Sequence, residues 1–237
     1  MTTIVTGGTR GIGAAITRAL VADGHKVVAS YVRDDASAEA LADELEPVHV
    51  VRADVTTAEG LDALFAAAEQ HGPLTGLVNN AGATLHVGPL ADTEPEIIRS
   101  VIDLNLTAAV LCARRAVQVM TGRGGTIVNI SSGAATLGSP GEYVHYAAAK
   151  AGVDALTVGL GKEVAALGIR VVGVAPGTIR TDIHADAGDP GRPDRVAPRV
   201  PLGRAGEPGD IAGAVAWLFR PEAAYVTATT IRITGGM

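Results

Sequence analysis

The sequence contains one cysteine, few aromatic residues and almost no lysine. Cys112 has no partner in the chain, so an intrachain disulfide cannot form, and we expect a reducing compartment. Aromatic residues make up 3% of the chain, and three lysines stand beside sixteen arginines. The formal net charge of −6 argues against a nucleic-acid partner, because binding to the phosphate backbone requires concentrated positive charge.

Long apolar runs and targeting segments are also missing. No stretch of about 18 or more predominantly apolar residues occurs, which predicts that the chain does not cross a membrane. The N-terminus leads directly into an Ile-Val run, without the basic and apolar regions of a signal peptide. No two of the six histidines lie at a spacing typical of a metal site. We therefore predict a cytoplasmic protein with no membrane partner and no bound metal.

The sequence does contain a regular alternation of short Val/Ile-rich runs and longer helical patterns. With 47% hydrophobic and 19% charged residues, the 237-residue chain has a globular composition. Strands are predicted at 3–6, 26–31, 48–53, 74–79, 125–130, 169–175 and 229–233. Helices are predicted near 12–22, 36–45, 58–70, 94–120 with an interruption around Asn105, 145–167 and 208–219.

This alternation is typical of βαβ units that build a parallel sheet covered by helices on both faces. Since no composition break divides the chain, we predict an α/β fold: one doubly wound, Rossmann-type domain over residues 1–237 with a seven-stranded parallel sheet. Residues 182–207 are rich in Pro, Gly, Arg and Asp and lack strong periodicity. A long loop after the carboxyl end of a strand commonly covers a ligand, so we predict a substrate lid there; a solvated surface excursion is the alternative.

A glycine-rich turn joins the first predicted strand to the first helix. Its sequence, Thr6-Gly7-Gly8-Thr9-Arg10-Gly11-Ile12-Gly13, lets the backbone turn sharply and approach an anion closely. The N–H groups and the dipole at the start of the helix then favour a pyrophosphate. The turn is not a P-loop, because no Gly-Lys-Ser/Thr follows, and a purely structural glycine turn is the alternative.

Four motifs together resemble the short-chain dehydrogenase/reductase family. They are Thr6-Gly-xxx-Gly11-Ile12-Gly13, Asn79-Asn80-Ala81-Gly82, Tyr146-xxx-Lys150 and Pro176-Gly177, in the order of that family and over essentially the whole chain. The resemblance implies a nicotinamide dinucleotide cofactor and hydride transfer to or from a small-molecule carbonyl or alcohol. These motifs and the end of the second strand give the predicted cofactor-binding residues: Gly7, Thr9, Arg10, Gly11, Ile12, Gly13, Tyr31, Arg33, Asp54, Val55, Asn80, Ala81, Gly82, Tyr146, Lys150, Pro176, Gly177, Ile179 and Thr181.

The resemblance implies particular contacts for several of these residues. Asp54, after the third strand, would meet the adenine amino group, with a helix cap as the alternative. Thr181 corresponds to the threonine that holds the nicotinamide carboxamide, and Ala81 and Gly82 allow close approach of the cofactor ribose. Asn79 corresponds to an asparagine that holds the sheet together.

The end of the second strand bears on the choice between the two nicotinamide cofactors. An acidic side chain there would bind the adenosine ribose 2′-hydroxyl and repel a 2′-phosphate, but Tyr31 occupies the position. Arg33 follows it and Arg10 lies in the glycine turn, and guanidinium groups bind phosphate in a bidentate manner. The sequence therefore predicts NADP(H) in preference to NAD(H), with Arg33 as a solvated surface charge the alternative.

Tyr146 and Lys150 stand at i and i+4 of a strongly helical segment, so their side chains share one face. A free tyrosine titrates near pH 10, too high for proton transfer at neutral pH, and a nearby ammonium lowers that pKa. An ammonium about 4 Å away interacts with a tyrosinate by about 4 kcal/mol at an effective dielectric near 20. This corresponds to a decrease in the tyrosine pKa of roughly 2–3 units. The resemblance implies that Tyr146 exchanges the proton of the substrate oxygen and that Lys150 also binds the nicotinamide ribose.

The resemblance also implies a serine at the end of the fifth strand and an asparagine in the fourth helical segment. Ser131 and Ser132 are both candidates for the hydrogen bond to the substrate oxygen. The family's usual spacing to the tyrosine falls on Gly133 in this chain, so we predict Ser132 together with one additional residue within 142–145. Asn105 corresponds to an asparagine that kinks a helix and orders a water in a proton relay to the lysine; a helix-breaking cap is compatible with that role.

The sequence thus predicts an NADP(H)-dependent oxidoreductase, similar to the family's oxoacyl reductases and sugar dehydrogenases. A dinucleotide-binding regulator without turnover is the alternative, but it would be expected to lack part of the Ser/Tyr/Lys set, which is complete here. The small residues of helices 107–120 and 145–167, and the association usual in the family, predict a homotetramer or a dimer. Ala228 stands where relatives commonly carry glycine, a departure that bears on C-terminal packing.

Overall fold

Seven β-strands form one parallel sheet in this computed structural model, which describes residues 1–237. The strands are β1 (Thr2–Val5), β2 (Lys26–Tyr31), β3 (Val48–Arg52), β4 (Leu74–Asn79), β5 (Gly125–Ile130), β6 (Ile169–Pro176) and β7 (Thr229–Ile233). Their spatial order is β3-β2-β1-β4-β5-β6-β7, and every neighbouring pair is parallel. The predicted fold class is confirmed, and each predicted strand is present to within one residue at either end.

Ten α-helices connect and flank the strands. They are α1 (Gly11–Ala22), α2 (Asp35–Glu44), α3 (Ala58–Gln70), α4 (Pro95–Ile102), α5 (Ala108–Met120), α6 (Ala134–Leu137), α7 (Val144–Glu163), α8 (Ile183–Asp186), α9 (Arg192–Val196) and α10 (Pro208–Phe219). A π-helical turn over Asp103–Thr107 separates α4 from α5, at the predicted interruption around Asn105. None of these helices has both the length and the apolar content needed to span a bilayer.

The helices cover both faces of the sheet, which explains the near-continuous apolar character of its strands. On one face, Phe65 of α3 packs in a cluster with Met120 of α5. On the other face, Ile16 of α1 packs in a cluster with Ile211 of α10. Strands covered on both sides bury both sets of their side chains, and β1, β4 and β5 are accordingly buried almost throughout.

The sheet reverses its direction of growth between β1 and β4. From β1 the chain first adds β2 and β3 on one side, and then β4 to β7 on the other. In doubly wound sheets, ligands bind in the crevice at the carboxyl ends of the strands at this point. The glycine turn after β1 and the Asn79-Asn80-Ala81-Gly82 motif at the end of β4 meet there.

A buried polar chain joins the middle of the sheet to α7. Asn79 Nδ2 donates to Oδ1 of Asn129 on β5 at 2.9 Å, and Asn129 Nδ2 donates to Thr157 Oγ1 at 2.9 Å. Thr157 in turn donates to the backbone carbonyl of Val153 at 2.8 Å. Buried amides require partners of this kind, so these contacts fix β4, β5 and α7 in one register.

The segment 182–207 contains more regular structure than its sequence pattern predicts. It includes α8, α9 and a 3₁₀ turn at Ala197–Arg199. Ile179 and Gly206 form an isolated parallel bridge, so the chain leaves and returns at the same place. Helices of four or five residues with Gly and Pro between them are too short to show an amphipathic period, and for this reason the sequence does not reveal them.

Candidate active site

In the turn between β1 and α1, the backbone at Gly13 packs directly against the backbone at Gly7. A Cβ atom on Gly13 would lie 2.0 Å from the carbonyl oxygen of Gly7, so no other residue fits. Gly7 and Gly11 have φ angles of 61° and 53°, in the left-handed region that favours glycine. Helix α1 begins at Gly11, and its N-cap residue Arg10 supplies no side-chain acceptor, which leaves N–H groups of the first turn for an anion.

Asn80 and Thr6 hold this turn against the end of β4. Asn80 Nδ2 donates to the carbonyl oxygens of Thr6 and Gly7 at 2.9 and 3.0 Å. The backbone N–H groups of Asn80 and Ala81 both donate to Thr6 Oγ1 at 3.0 Å. Two motifs far apart in the sequence therefore form one cradle. The remaining predicted residues of the turn are Thr9, which is buried, and Ile12, which packs against the core.

The carboxyl end of β2 bears no acidic side chain. Tyr31 ends the strand, and the next charged residue, Arg33, is exposed and forms no salt bridge. Asp34 is occupied as the N-cap of α2, where it accepts from the backbone N–H of Ser37 at 2.9 Å. Hydrogen bonds from Ser37 lower the pKa of Asp34, and the charge of Arg10 lowers it further.

Arg10 also reaches the segment 182–207. Its Nη2 forms an ion pair with Asp186 of α8 at 2.8 Å, a contact that the sequence does not indicate. The two side chains are 51% and 47% exposed, and ion pairs this exposed contribute little stability. Arg10 is therefore able to exchange this carboxylate for another anion at small energetic cost.

Asp54 and Val55 follow β3 at the same edge of the sheet. Asp54 Oδ1 accepts from the backbone N–H and the hydroxyl of Thr56 at 3.0 and 2.7 Å. The N-cap of α3 is Thr57, whose hydroxyl accepts from the N–H of Gly60 at 3.0 Å. Asp54 therefore closes the turn that precedes the helix but is not its cap, and Val55 is buried in the core.

Tyr146 and Lys150 lie one turn apart on α7, and both are buried. Their exposed fractions are 8% and 4%, and Lys150 Nζ lies 5.6 Å from the centre of the Tyr146 ring. The same Nζ donates to the backbone carbonyl of Ile130 at 2.9 Å, which fixes the ammonium at the end of β5. Burial raises the pKa of Tyr146 to about 12 and lowers the pKa of Lys150 to about 8. At neutral pH Lys150 is therefore charged and Tyr146 carries its proton.

The two serines after β5 point in different directions. Ser131 is buried, and its hydroxyl donates to the backbone carbonyl of Lys150 at 3.3 Å. Ser132 is half-buried, and its Oγ accepts from the backbone N–H of Ala134 at 3.1 Å. Burial raises the pKa of Tyr146, and interaction with the Ser132 hydroxyl opposes that rise. The structure thus places Ser132 beside Tyr146 and Ser131 against the helix backbone.

Asn105 lies in the π-helical turn, and its side chain and that of Lys150 both lie next to Gly82. Its Nδ2 donates to the backbone carbonyls of Ala83 and Val101 at 2.8 and 2.9 Å, whereas its Oδ1 is buried without a partner in the protein. A Cβ atom on Gly82 would lie 2.5 Å from Asn105 Oδ1 and 3.4 Å from Lys150 Nζ. A buried unpaired oxygen next to an ammonium is suited to an ordered water or a polar ligand atom.

The end of β6 completes this edge of the sheet. Pro176 closes the strand, and the N–H of Gly177 donates to the backbone of β7 at 2.9 Å, so the chain turns tightly. Ile179 is buried. Thr181 reaches back to the glycine turn, because a Cβ atom on Gly11 would lie 3.2 Å from its Cγ2. The predicted cofactor-binding residues after β6 therefore face those after β1.

Arg192 and Glu142 meet at this site, a contact that the sequence does not predict. Arg192 of α9 is 8% exposed and donates to Glu142 Oε2 at 2.5 Å and to Thr178 Oγ1 at 3.1 Å. Its guanidinium carbon lies 5.1 Å from the centre of the Tyr143 ring, which packs edge-on against Tyr146 at 5.5 Å. Nothing in the sequence indicates that an arginine far along the chain packs against Tyr143.

These residues fit a nicotinamide dinucleotide. At one end of the crevice the glycine turn admits no side chain and offers helix N–H groups to a pyrophosphate. At the other end Lys150 and the unpaired Asn105 Oδ1 provide buried polar atoms. No group of three or more His, Cys, Asp or Glu side chains is arranged to hold a metal ion. The geometry is therefore that of a crevice suited to a dinucleotide, with the buried Tyr146 and Lys150 at one end.

Comparison with known proteins agrees with this geometry. A family model described as enoyl-(acyl carrier protein) reductase matches residues 7–237. The oxidoreductase YgfF of Escherichia coli is 43% identical over 242 residues, which cover 98% of each chain. A 3beta-hydroxysteroid dehydrogenase 1 of Eggerthella lenta is 39% identical, with 100% of this chain and 93% of the relative covered. A 3-oxoacyl-[acyl-carrier-protein] reductase of Synechocystis is 38% identical, with 99% and 95% covered.

The fold also matches a solved structure. The crystal structure of a dehydrogenase/reductase from Sinorhizobium meliloti superposes with a TM-score of 0.92 at 36% sequence identity, covering 99% of this chain and 94% of the other. The chain therefore belongs to the short-chain dehydrogenase/reductase family and is an oxidoreductase acting on CH–OH or carbonyl groups.

Proposed function

We propose that the protein is an NADP(H)-dependent reductase or dehydrogenase that interconverts a carbonyl and a secondary alcohol on an oxoacyl, sugar or related small molecule. The observation that carries the proposal is the convergence of Ser132, Tyr146 and Lys150 at the carboxyl ends of the strands, next to Gly82. Two of the relatives are named as a 3-oxoacyl-[acyl-carrier-protein] reductase and a 3beta-hydroxysteroid dehydrogenase, which supports this range of substrates.

Tyr146 is the group that exchanges a proton with the substrate oxygen. It donates the proton to a carbonyl oxygen in reduction, and as tyrosinate it removes the proton from an alcohol in oxidation. Burial disfavours the tyrosinate and raises the pKa of Tyr146 to about 12, so neighbouring groups must stabilise the anion. The Ser132 hydroxyl and the charge of Arg192 oppose that rise in pKa, and the Lys150 ammonium, 5.6 Å from the ring centre, is a further cation that favours the anion. Ser132 holds the substrate oxygen in line by a hydrogen bond.

Asn105 connects Lys150 to the proton supply. Its buried Oδ1 accepts from an ordered water that also contacts Lys150 Nζ, since both atoms lie next to Gly82. The proton that Tyr146 gives up in reduction is replaced along this path. Asn105 keeps its orientation because Nδ2 is fixed by two backbone carbonyls at 2.8 and 2.9 Å.

The crevice residues hold the cofactor along its length. The glycine turn and the first turn of α1 bind the pyrophosphate, and Asp54 and Val55 border the adenine. Lys150 binds the nicotinamide ribose, with Ala81 and Gly82 permitting its close approach. Thr181, Pro176, Gly177 and Ile179 border the nicotinamide, which when bound supplies or accepts the hydride.

The 2′-phosphate of NADP(H) is bound by Arg33 and Arg10. Arg33 forms no salt bridge, and Arg10 exchanges its exposed ion pair with Asp186 for the phosphate. The test is the ratio of kcat/KM for NADPH to that for NADH, which we expect to be at least about tenfold. Arg33→Ala should reduce this ratio, whereas Arg123→Ala, an exposed arginine at the opposite end of the sheet, should not. Equal efficiency with NADH in the unaltered protein would refute the preference.

Enzyme activity itself is tested with a panel of ketones, acyl thioesters and aldoses, each assayed with NADPH and with NADH. We expect turnover of at least one class, and Tyr146→Phe should abolish it while dinucleotide binding, followed by fluorescence titration, is retained. Turnover that survives Tyr146→Phe would refute the assignment of the proton-exchanging group. A protein that binds NADPH and turns over none of the panel would instead support a dinucleotide-binding regulator.

The segment 182–207 acts as a lid over the substrate. Its helix α9 contacts Glu142 and Thr178 at the carboxyl edge of the sheet, and its helix α8 contacts Arg10 in the glycine turn. A segment with these contacts covers both the substrate and the cofactor ends of the crevice.

The protein assembles as a homotetramer or a dimer in the cytoplasm. Helices α5 and α7 expose apolar side chains, with Val110, Leu111 and Val158 39%, 38% and 37% exposed in the isolated chain. Burial of these side chains against a second copy would explain their exposure here. Light scattering at micromolar concentration tests this, and a monomer would refute it.

A further inference from the structure

Arg192 is an arginine with almost no exposed surface, at the start of α9. Only 9% of its side chain is exposed, whereas the side chains of the arginines at 180, 195 and 204 are 43%, 55% and 54% exposed. A guanidinium is rarely buried unless it is paired, because removing a charge from water is costly. The residues that pair with Arg192 therefore indicate its role.

The partners of Arg192 lead to the proton-exchanging tyrosine. Nη2 donates to Glu142 at 2.5 Å, Nη1 donates to Thr178 at 3.1 Å, and the guanidinium carbon lies 5.1 Å from the centre of the Tyr143 ring. That ring meets the Tyr146 ring at 5.5 Å and an interplanar angle of 90°. One aromatic ring therefore separates the buried cation from Tyr146.

Glu142 joins three segments at this point. Its carboxylate pairs with Arg192 and lies 3.8 Å from Arg195, both on α9. Its backbone carbonyl accepts from the N–H of Gly88, in the loop after β4, at 2.6 Å. Glu142 itself belongs to the stretch 142–145, in which the spacing between Ser132 and Tyr146 predicts one additional residue. The longer loop thus supplies the carboxylate that holds α9 in place.

The charges around Tyr146 come from few elements. Val101 and Ile97 of α4 and Ala134 of α6 form an apolar cluster with Tyr146. Burial most strongly disfavours the tyrosinate, and Tyr143 adds to that effect, whereas the Ser132 hydroxyl and then the charge of Arg192 favour it. The titratable and charged groups from all the packed elements are Lys150 and His145 on α7, Tyr143 and Glu142 in the preceding loop, Arg192 and Arg195 on α9, and His86 after β4.

We propose that Arg192 is a positioning residue that couples closure of the segment 182–207 to proton exchange: its ion pair with Glu142 holds α9 down, and in that position its charge stabilises the tyrosinate form of Tyr146 through the Tyr143 ring. The proposal rests on the proposed function, because it requires Tyr146 to exchange the substrate proton. Arg192 acts on Tyr146 and need not touch the substrate.

The first experiment measures the pH dependence of kcat for alcohol oxidation at saturating NADP⁺. Tyrosinate is the active form in this direction, so loss of a nearby cation moves the midpoint upward. We expect Arg192→Gln to raise the midpoint by roughly half to one unit and to lower kcat below the midpoint about 3- to 10-fold. Arg192→Lys keeps the charge and should return the midpoint to within about 0.3 units of the original.

Two further variants separate charge from general loosening of the segment. Glu142→Gln loosens α9 through the same ion pair but also removes a negative charge next to Tyr143, so the midpoint should rise less than in Arg192→Gln. Asp194→Asn removes the 2.6 Å ion pair between α9 and Arg180 without contacting Tyr143, and it should leave the midpoint unchanged. A rise of similar size in all three variants would show that only loosening matters, and would overturn the proposal.

A second measurement needs no turnover. Hydrogen exchange of the backbone amides in 183–199 reports opening of the segment, and we expect Arg192→Gln and Glu142→Gln to accelerate it at least about tenfold over Asp194→Asn. Exchange that is unchanged in both variants would overturn the closure half of the proposal. If either variant is poorly folded, the double variant Glu142→Gln/Arg192→Gln leaves no unpaired charge from this pair and serves in both measurements.

The two possible failures are distinguishable. If Tyr146→Phe retains turnover, the proposed function fails, and the coupling fails with it. If Tyr146→Phe is inactive but Arg192→Gln leaves the midpoint within about 0.2 units of the original, only the coupling fails and the proposed function stands.

Discussion

Replacement of Lys150 by methionine removes a buried charge while keeping a side chain of similar length. The ammonium lies 5.6 Å from the centre of the Tyr146 ring, over which the charge of a tyrosinate is partly spread. Two unit charges at this distance interact by about 3 kcal/mol at an effective dielectric near 20, equivalent to about 2 pKa units. Lys150→Met should therefore raise the pKa of Tyr146 in the working enzyme by about 2 units.

The expected result is a loss of about 100-fold in kcat for alcohol oxidation at pH 7, with the alkaline midpoint displaced upward. The sign follows from protonation: burial lowers the pKa of Lys150 only to about 8, so at pH 7 the unaltered lysine is charged and favours the tyrosinate. The assay is the pH profile of kcat at saturating substrate and cofactor, which separates this effect from weaker binding at the ribose.

Two variants serve as controls for this prediction. Lys162→Met removes an exposed lysine from the same helix and should leave the profile unchanged. Lys150→Arg keeps the charge, but a planar guanidinium cannot reproduce the 2.9 Å bond of a compact ammonium to Ile130, so we expect only partial recovery. If Lys150→Met keeps more than about one third of kcat with an unmoved midpoint, the electrostatic reasoning is wrong.

Three further predictions concern glycine geometry, backbone strain and thiol reactivity. Gly82→Ala places a Cβ atom 2.5 Å from Asn105 Oδ1, so kcat should fall at least about tenfold and the free energy of unfolding by about 1–3 kcal/mol, measured by urea denaturation. Ala228→Gly relieves a φ angle of 55° and should raise the free energy of unfolding by about 0.5–1 kcal/mol in the same assay; a decrease would refute strain at this position. Cys112 is 1% exposed and burial raises the pKa of its thiol to about 12, so a thiol reagent at pH 8 should label the denatured protein but not the native one.

The strands and long helices could be predicted because their signals are local. A run such as Gly125–Ile130 is bounded by glycine and serine and is β-branched within, and its burial on both faces follows from helices before and after it. The interruption at Asn105 is predicted with the helix pattern, and the π-helical turn explains it physically: Asn105 Nδ2 donates to the backbone carbonyl of Val101.

The pairing of charged side chains could not be predicted in this way. Arg10 with Asp186, and Arg192 with Glu142, join residues that are 176 and 50 positions apart, and every arginine has several acidic residues at comparable distances along the chain. Only the folded sheet selects among them. The orientation of Ser131 and Ser132 could be predicted only in part. Alternation along an extended chain predicts that the two side chains point in opposite directions. Which of the two serines faces Tyr146 depends on how α7 packs.

The contacts of Asn80 have a consequence for the order in which the protein acquires its function. The cradle after β1 is held by hydrogen bonds from residues more than seventy positions later, beyond two complete helix–strand units. An N-terminal fragment that ends before β4 contains the whole glycine motif and yet lacks the groups that shape it. During synthesis, dinucleotide affinity should therefore arise only once β4 has inserted beside β1, so that nucleotide binding reports the assembly of the central sheet and not the presence of the motif.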